Sequence, residues 1–179
     1  MIKVSEIYTK PPKEYKNKLQ EVVYKTLEKL GISYQRVETS EATTMEDCIE
    51  MNRKLDMEMV KTLILCNRQE TEFYVFVTKA DKKFDSKKFS QQLNIARVSF
   101  AKEEYMIKLF GTRIGAATIY SVLIDKNQKI HVVIDKDVLK DEYYGCIDGD
   151  KTGYMKVKTK DIMDKILPYS KHKATIIEM

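Results

Sequence analysis

One lysine set inside an apolar run, and two glycine-bearing segments, are the parts of this chain whose residue types and spacing could do chemistry. In VKTLILC, residues 60–66, Lys61 stands among Val60, Leu63, Ile64 and Leu65. In a strand, Lys61, Leu63 and Leu65 share one face. The lysine is then either an edge residue whose stem lies on apolar surface while its head reaches water, or a positioned cation facing a pocket. In LFGTRIGAATIYSV, residues 109–122, Gly111 and Gly115 are four apart. Such glycines let backbone approach a ligand closely and expose N–H groups to an oxyanion or carboxylate. The alternative is a simple turn. YGCIDGDKTGYM, residues 144–155, is a second glycine-rich turn with Gly145, Gly149 and Gly153.

The usual catalytic sets are absent. His131 and His172 are the only histidines, and neither has a second ligand or carboxylate at metal or dyad spacing, which argues against a zinc enzyme or a histidine-centred hydrolase. No phosphate-binding loop, dinucleotide fingerprint or nucleophile elbow occurs. Cys48, Cys66 and Cys146 are odd in number and widely spaced, so neither a disulfide framework nor a CxxC site is available and a reducing compartment is expected. Cys146 has no base close in sequence and reads as a small buried thiol. Neither a metal nor a cofactor is called for.

The elements that must position these residues follow from length and pattern. With 179 residues, 43% of them hydrophobic, and only six glycines and three prolines, the chain is expected to form one domain spanning residues 1–179. Residues 1–31 are read as an N-terminal helical extension. No apolar run approaches a membrane span of about 18–20 residues, and the start lacks the apolar core of a signal peptide; a cytoplasmic protein with no membrane partner is expected. Pro11 and Pro12 precede helical spacing from Tyr15 to Leu30, stopped by Gly31. A strand at 32–37 follows, then a helix from about Met45 to Leu55 capped by Thr44.

Runs 59–66 and 72–78 read as paired strands, 86–93 and 102–110 as short helices, and 118–125 and 129–135 as strands joined by a turn at Lys126–Gln128. A strand at 152–159 and another at 174–179 bracket a helix near 160–167 that Pro168 ends. The class is α+β, a mixed central sheet surrounded by helices.

The net charge is +5, and its location is informative. Residues 61–120 hold 11 basic and 6 acidic side chains, which accounts for the whole excess. That segment includes Lys82, Lys83, Lys87, Lys88, Arg97 and Arg113. It is either a solvated face or a local footprint for a polyanion.

The order of these segments resembles the YbaK/ProX superfamily of aminoacyl-tRNA editing deacylases from about Thr43 onward, and is most similar to its free-standing prolyl-tRNA editing branch. Lys61 matches the family's strand lysine, Leu93–Phe100 its lysine-rich helix followed by a turn, and Gly111–Gly115 its substrate loop. Asp135 ends a matching strand, and Gly145–Thr152 matches the last motif. Ile114 stands where many members carry proline, and Ile147 and Lys151 replace polar amides.

The resemblance implies hydrolysis of the ester joining an amino acid to the terminal adenosine of a mischarged tRNA, alanyl-tRNA for proline being the expected substrate. Lys61 is the implied catalytic residue. Met45, Ile49, Gly111, Thr112, Ile114, Gly115, Ala116, Gly145, Cys146, Asp148 and Thr152 are the implied substrate-binding set, with water as nucleophile. Lys82, Lys83, Lys87, Lys88, Arg97 and Arg113 are the expected tRNA contacts. The partners are the acceptor end of tRNA and prolyl-tRNA synthetase. An editing step has a physical motive, because a synthetase pocket rejects a smaller amino acid by only about 1–3 kcal/mol per missing methylene. A cation and N–H donors aimed at a developing oxyanion are each worth about 10²- to 10³-fold where water is excluded. The other expectation is a catalytically silent protein of the same fold that binds tRNA or an amino acid.

Overall fold

Two sheets meet beside Lys61. The structure is a computed structural model that describes residues 2–40, 44 and 46–179. In chain order its main elements are α1 (Lys18–Lys29), β1 (Gln35–Glu38), α2 (Cys48–Leu55), β2 (Val60–Cys66), β3 (Phe73–Lys79), α3 (Ser86–Leu93), β4 (Ser99–Phe100), α4 (Glu103–Phe110), β5 (Ile130–Asp135), β6 (Tyr143–Ile147), β7 (Gly153–Lys158) and β8 (Thr175–Ile177). The larger sheet has the order β4-β2-β3-β5-β8 and is mixed: β2 pairs antiparallel with β3 and β4, whereas β3–β5 and β5–β8 are parallel. The smaller sheet, β1-β7-β6, is antiparallel. A parallel bridge between Met59 and Gly145 joins the two. The α+β class expected from the sequence is therefore found.

Period-2 alternation decides what each face of the larger sheet buries. Ile64, Val75, Val77, Val132 and Ile134 belong to the main core, with Leu19, Val23 and Leu27 of α1 and Phe110 of α4. Leu65, Phe76 and Val133 pack on the other side with Phe89 of α3. A separate cluster gathers Met51 and Leu55 of α2 with Val37 and Tyr154 of the smaller sheet. Helix α1 is thus part of the main core.

Several boundaries differ from the sequence expectation for identifiable reasons. The first helix begins at Lys18, not just after Pro12, because Asn17 caps it: its side chain accepts from Gln20 N at 2.8 Å, while the Lys16 N–H donates to Gln20 Oε1 at 2.9 Å, a reciprocal arrangement like a capping box. Met45 lies outside the described residues, and α2 begins at Cys48 after a turn in which Thr44 and Asp47 bond reciprocally. Residues 118–125 are not a strand. Ile119–Ile124 form a 3-10 helix, capped by the Thr118 hydroxyl and tied to α4 by Ser121, which donates to Phe110 O at 2.6 Å.

Residues 144–147, read as part of a glycine turn, belong to strand β6. Pro168 does not end the last helix. Helical structure runs through Thr159–Asp161, a π segment Ile162–Ile166, and Leu167–Tyr169; the wider π turn shifts the bonding register just before the residue that lacks an N–H. Among the described residues no helix is long and apolar enough to cross a membrane.

Candidate functional site

A cavity of about 230 Å³ opens where the start of β2 faces β6 and the segment between α4 and the 3-10 helix. Lys61, Gly115 and Cys146 line it together, so three residues distant in sequence and expected at the site do converge. Val60, Thr62, Ala117 and Tyr154 complete much of the wall, and the described end of the Thr44–Cys48 segment closes one side. The sequence reading missed Thr62 and Tyr154. No local signal marked either: Thr62 lies on the strand face opposite Lys61 and Leu63, and Tyr154 belongs to the other sheet.

Lys61 is half-buried and pairs across the strand with Thr78. Its ammonium donates to the backbone carbonyl of Lys82. An ammonium has three N–H donors, so further donors remain for a ligand. Lys82 is itself fixed: its ammonium bonds Asp135 Oδ2 at 2.8 Å, Asp137 Oδ2 at 2.6 Å and the carbonyl of Met179 at 3.0 Å. Asp135 is fully buried and also accepts from Thr78 Oγ1 at 2.6 Å. Lys61 is therefore held at the rim of the cavity by a chain of contacts that ends in a buried carboxylate.

This anchoring has an acid limit. Burial pushes the Asp135 carboxyl up, but hydrogen bonds from Lys82, Thr78 and the Asp137 N–H outweigh it and leave the group below its ordinary 3.8. Asp137 is held at about 2 by Lys140 and then Lys82. Folded-state values below the unfolded ones stabilise fully above the unfolded value, and that stability is lost as pH falls through the folded one. Urea midpoints should thus drop between the ordinary 3.8 and about 2, and the drop should be shallower in Asp137→Asn. Parallel pH profiles for the two proteins would contradict this.

The segment carrying Gly111 and Gly115 divides the cavity above from a second hollow. Gly111 takes φ +64 as the cap of α4, and a Cβ there would lie 2.5 Å from Ile124 Cδ1. Gly115 takes φ +88, a region that L side chains avoid. Gly115 and Ala117 face the Lys61 cavity, whereas Gly111, Thr112, Arg113 and Ala116 line the other hollow, of about 290 Å³. Thr112 Oγ1 donates to Ala116 O at 2.7 Å, and Ala116 N donates to Arg113 O at 3.0 Å, which keeps the loop tight. Among the described residues no protein group accepts from the N–H of Gly115 or Ala117, so both donors are uncommitted.

Other expected substrate residues sit elsewhere. Ile49 is 56% exposed and Ile114 68% exposed, and neither lines either of these two hollows. Gly145 lies within β6 against the Met57–Met59 backbone, where a Cβ would stand 2.7 Å from Glu58 O; its small size serves the junction of the sheets. Asp148 is 1% exposed and faces α1, accepting from Gln20 Nε2 at 3.1 Å, from Tyr24 OH and from Asp150 N at 3.1 Å. It ties the β6–β7 turn to the first helix. Thr152 bonds Asp150 and Lys16 beside the second hollow. The Cys146 thiol is 2% exposed and burial pushes its pKa up, which leaves it a wall of the cavity and a poor nucleophile. Of the expected tRNA contacts, Lys82 is committed to the internal ion pairs just described. Lys83, Lys87, Lys88, Arg97 and Arg113 are exposed.

Comparison with known proteins bears on the family and the fold. The prolyl-tRNA editing protein ProX of Acetoanaerobium sticklandii is 28% identical over 124 residues, covering 67% of this chain and 73% of that protein. The fold is similar to the crystal structure of hypothetical protein APE2540, with a TM-score of 0.65 and 17% identity over 80% of this chain and 92% of the other. It is equally similar to a protein described as a trans-editing enzyme for prolyl-tRNA synthetase, with a TM-score of 0.64 and 17% identity over 90% of this chain and 97% of the other. The aminoacyl-tRNA editing domain matches residues 39–165, which include the whole Lys61 cavity, and the chain belongs to that family.

Proposed function

We propose that this protein hydrolyses, in trans, the aminoacyl ester of a mischarged tRNA, with alanyl-tRNA for proline as substrate. The observation that carries the reading is the convergence of Lys61, Gly115 and Ala117 on one small cavity between the two sheets. In this scheme the aminoacyl group enters that cavity and its carbonyl oxygen meets the Gly115 and Ala117 N–H groups. Lys61 stands beside the ester and offsets the negative charge that grows on that oxygen. A water molecule attacks the carbonyl carbon, with help from the neighbouring ribose hydroxyl of the substrate. The bond to the terminal ribose oxygen then breaks. That oxygen takes up one proton of the attacking water, the other passes to solvent, and the amino acid leaves as its carboxylate. Donors aimed in advance at the developing oxyanion stabilise the transition state more than the ground state, so no protein nucleophile is needed.

The size of the cavity supports a small substrate. Pockets that bury drug-sized ligands hold about 300–1,000 Å³, whereas this one holds about 230 Å³. Alanine fits such a wall of Val60, Thr62 and Tyr154, and the rigid ring of proline is the group it is proposed to exclude. Prolyl-tRNA synthetase is then the enzyme whose error is corrected, in the cytoplasm where tRNA is charged. The acceptor stem is proposed to meet Lys83, Lys87, Lys88 and Arg97, with binding that weakens as salt rises.

The experiment is a deacylation panel with alanyl-, cysteinyl-, seryl- and prolyl-tRNA. Release of alanine well above the spontaneous rate, with prolyl-tRNA left intact, is the expected result. Tight tRNA binding without release of any amino acid would replace this reading with that of a silent binding protein.

A further inference from the structure

The second hollow, on the far side of the Gly111–Ala117 segment, is lined by cations from three separate parts of the chain: Lys16 ahead of α1, Arg113 in the loop, and Lys151 in the β6–β7 turn. Two of its walls, Lys16 and Asn17, precede the residues that match the editing family, which begin at 39. The hollow is a constructed feature. Gly149 takes φ +116 and a Cβ there would lie 2.8 Å from Gln20 N, so only glycine lets the turn press against the start of α1. Asn17 Nδ2 then donates to Gly149 O at 2.9 Å and fastens the two walls together.

The charge of the hollow is positive. Its one acid, Asp150, is already engaged, accepting from Thr152 N at 3.0 Å and from the Thr152 hydroxyl, with Lys16 Nζ 3.8 Å away. Arg113 is only loosely paired, 3.8 Å from Glu103, and its side chain is 72% exposed. Among the described residues the Lys151 side chain has no ion-pair or hydrogen-bond partner, and it is exposed. The partial positive charge at the start of α1 adds to the same field. Three cations around a hollow fit a phosphate, and consecutive loop residues connect it to the Lys61 cavity: Gly115 lines one side and Ala116 the other, with Cα atoms about 3.8 Å apart.

We propose that this hollow binds the phosphodiester on the 5′ side of the terminal nucleoside of the RNA that carries the ester, through Lys16, Arg113 and Lys151. The assignment rests on the functional reading above, in that the ester occupies the neighbouring cavity. The terminal nucleoside then straddles the glycine loop, its ribose between the two hollows. Substrate recognition by the protein thereby extends to residues ahead of the editing domain itself.

The test measures binding by the full-length protein of an uncharged acceptor-stem RNA ending in CCA, and of the same RNA lacking its last nucleotide. The double variant Lys16→Ala, Lys151→Ala should bind the complete RNA about tenfold or more weakly, and its log–log salt slope should flatten by about 0.7, the share of one phosphate on a single strand. On the shortened RNA, which lacks the phosphate in question, wild type and variant should bind alike. Lys151→Ala alone, which removes no hydrogen bond or ion pair of the side chain among the described residues, should show part of the loss, and Lys151→Arg should retain affinity. Unchanged affinity in the variants overturns the proposal, as does an equal loss on both RNAs. Competition by inorganic phosphate or adenosine monophosphate at the same concentrations as RNA would also overturn it, by marking a site for free phosphate. A wild type that shows the expected binding pattern but releases no amino acid would instead overturn the hydrolytic reading and leave this one standing.

Discussion

Lys61→Ala should lower the rate of alanine release from alanyl-tRNA for proline by about 10²- to 10³-fold, the usual consequence of removing one group that stabilises an oxyanion. The loss should fall on kcat and kcat/KM together, since the proposed role of the ammonium grows with the charge on the ester oxygen. Affinity for uncharged RNA should change little, because the phosphates are assigned to other cations. The cost to the fold should be small, about 1 kcal/mol, for the one bond to the Lys82 carbonyl. Lys61→Arg is the sharper variant. It keeps the charge, but its planar fork does not replace a point charge that must hold the Lys82 carbonyl and reach the cavity at once, so most of the activity should remain lost. If Lys61→Ala releases alanine as fast as the wild type, the lysine is an edge residue and the catalytic assignment is wrong. If neither protein exceeds the spontaneous rate, the chain is a binder.

What could be read in advance depended on whether a residue's partners were local. The β2–β3 hairpin and helices α3 and α4 were legible because apolar periodicity and turn chemistry are properties of a short window. Thr118–Asp125 misled for the same reason: TIYSVLID alternates acceptably for a strand, but Ile119, Tyr120, Ser121 and Val122 are all buried, and the Ser121 hydroxyl is spent on a carbonyl of α4. Buried residues on every side erase the periodic signal. Lys61, Gly115 and Cys146 could be named as site residues in advance through a resemblance, whereas no local rule shows that they share a cavity. Lys82 read as surface charge because the carboxylates that hold it, Asp135 and Asp137, lie more than fifty residues away. Asp148 was assigned to substrate on its motif, and faces α1 because its partners Gln20 and Tyr24 lie in a segment that the resemblance did not cover.

That last contact yields the largest expected effect on stability. Gly153→Ala would put a Cβ 2.3 Å from both carboxylate oxygens of Asp148, closer than nonbonded atoms approach. The carboxylate has nowhere to retreat. It is 1% exposed and is held by Gln20, Tyr24 and the Asp150 N–H, and burial already raises its pKa against those hydrogen bonds. Overpacking without room to relax costs up to about 3 kcal/mol, which for a chain of this size lowers Tm by about 6–12 °C. The damage should be directional, because Asp148 is where the β6–β7 turn grips α1: backbone amides of α1 should lose exchange protection before those of β2 and β3. A double-mutant cycle separates steric from other causes. With Asp148→Ala in place the added methyl meets no oxygen, so the two substitutions together should cost less than the sum of the two alone. Strict additivity, or an unchanged Tm in Gly153→Ala, would show that the Gly153–Asp148 contact does not govern the docking of α1. Since Lys16 and Asn17 stand at the head of that helix, Gly153→Ala should also weaken RNA binding at temperatures where the protein is still folded. The Lys61 cavity has none of its wall in α1, so hydrolysis of ester already bound should survive.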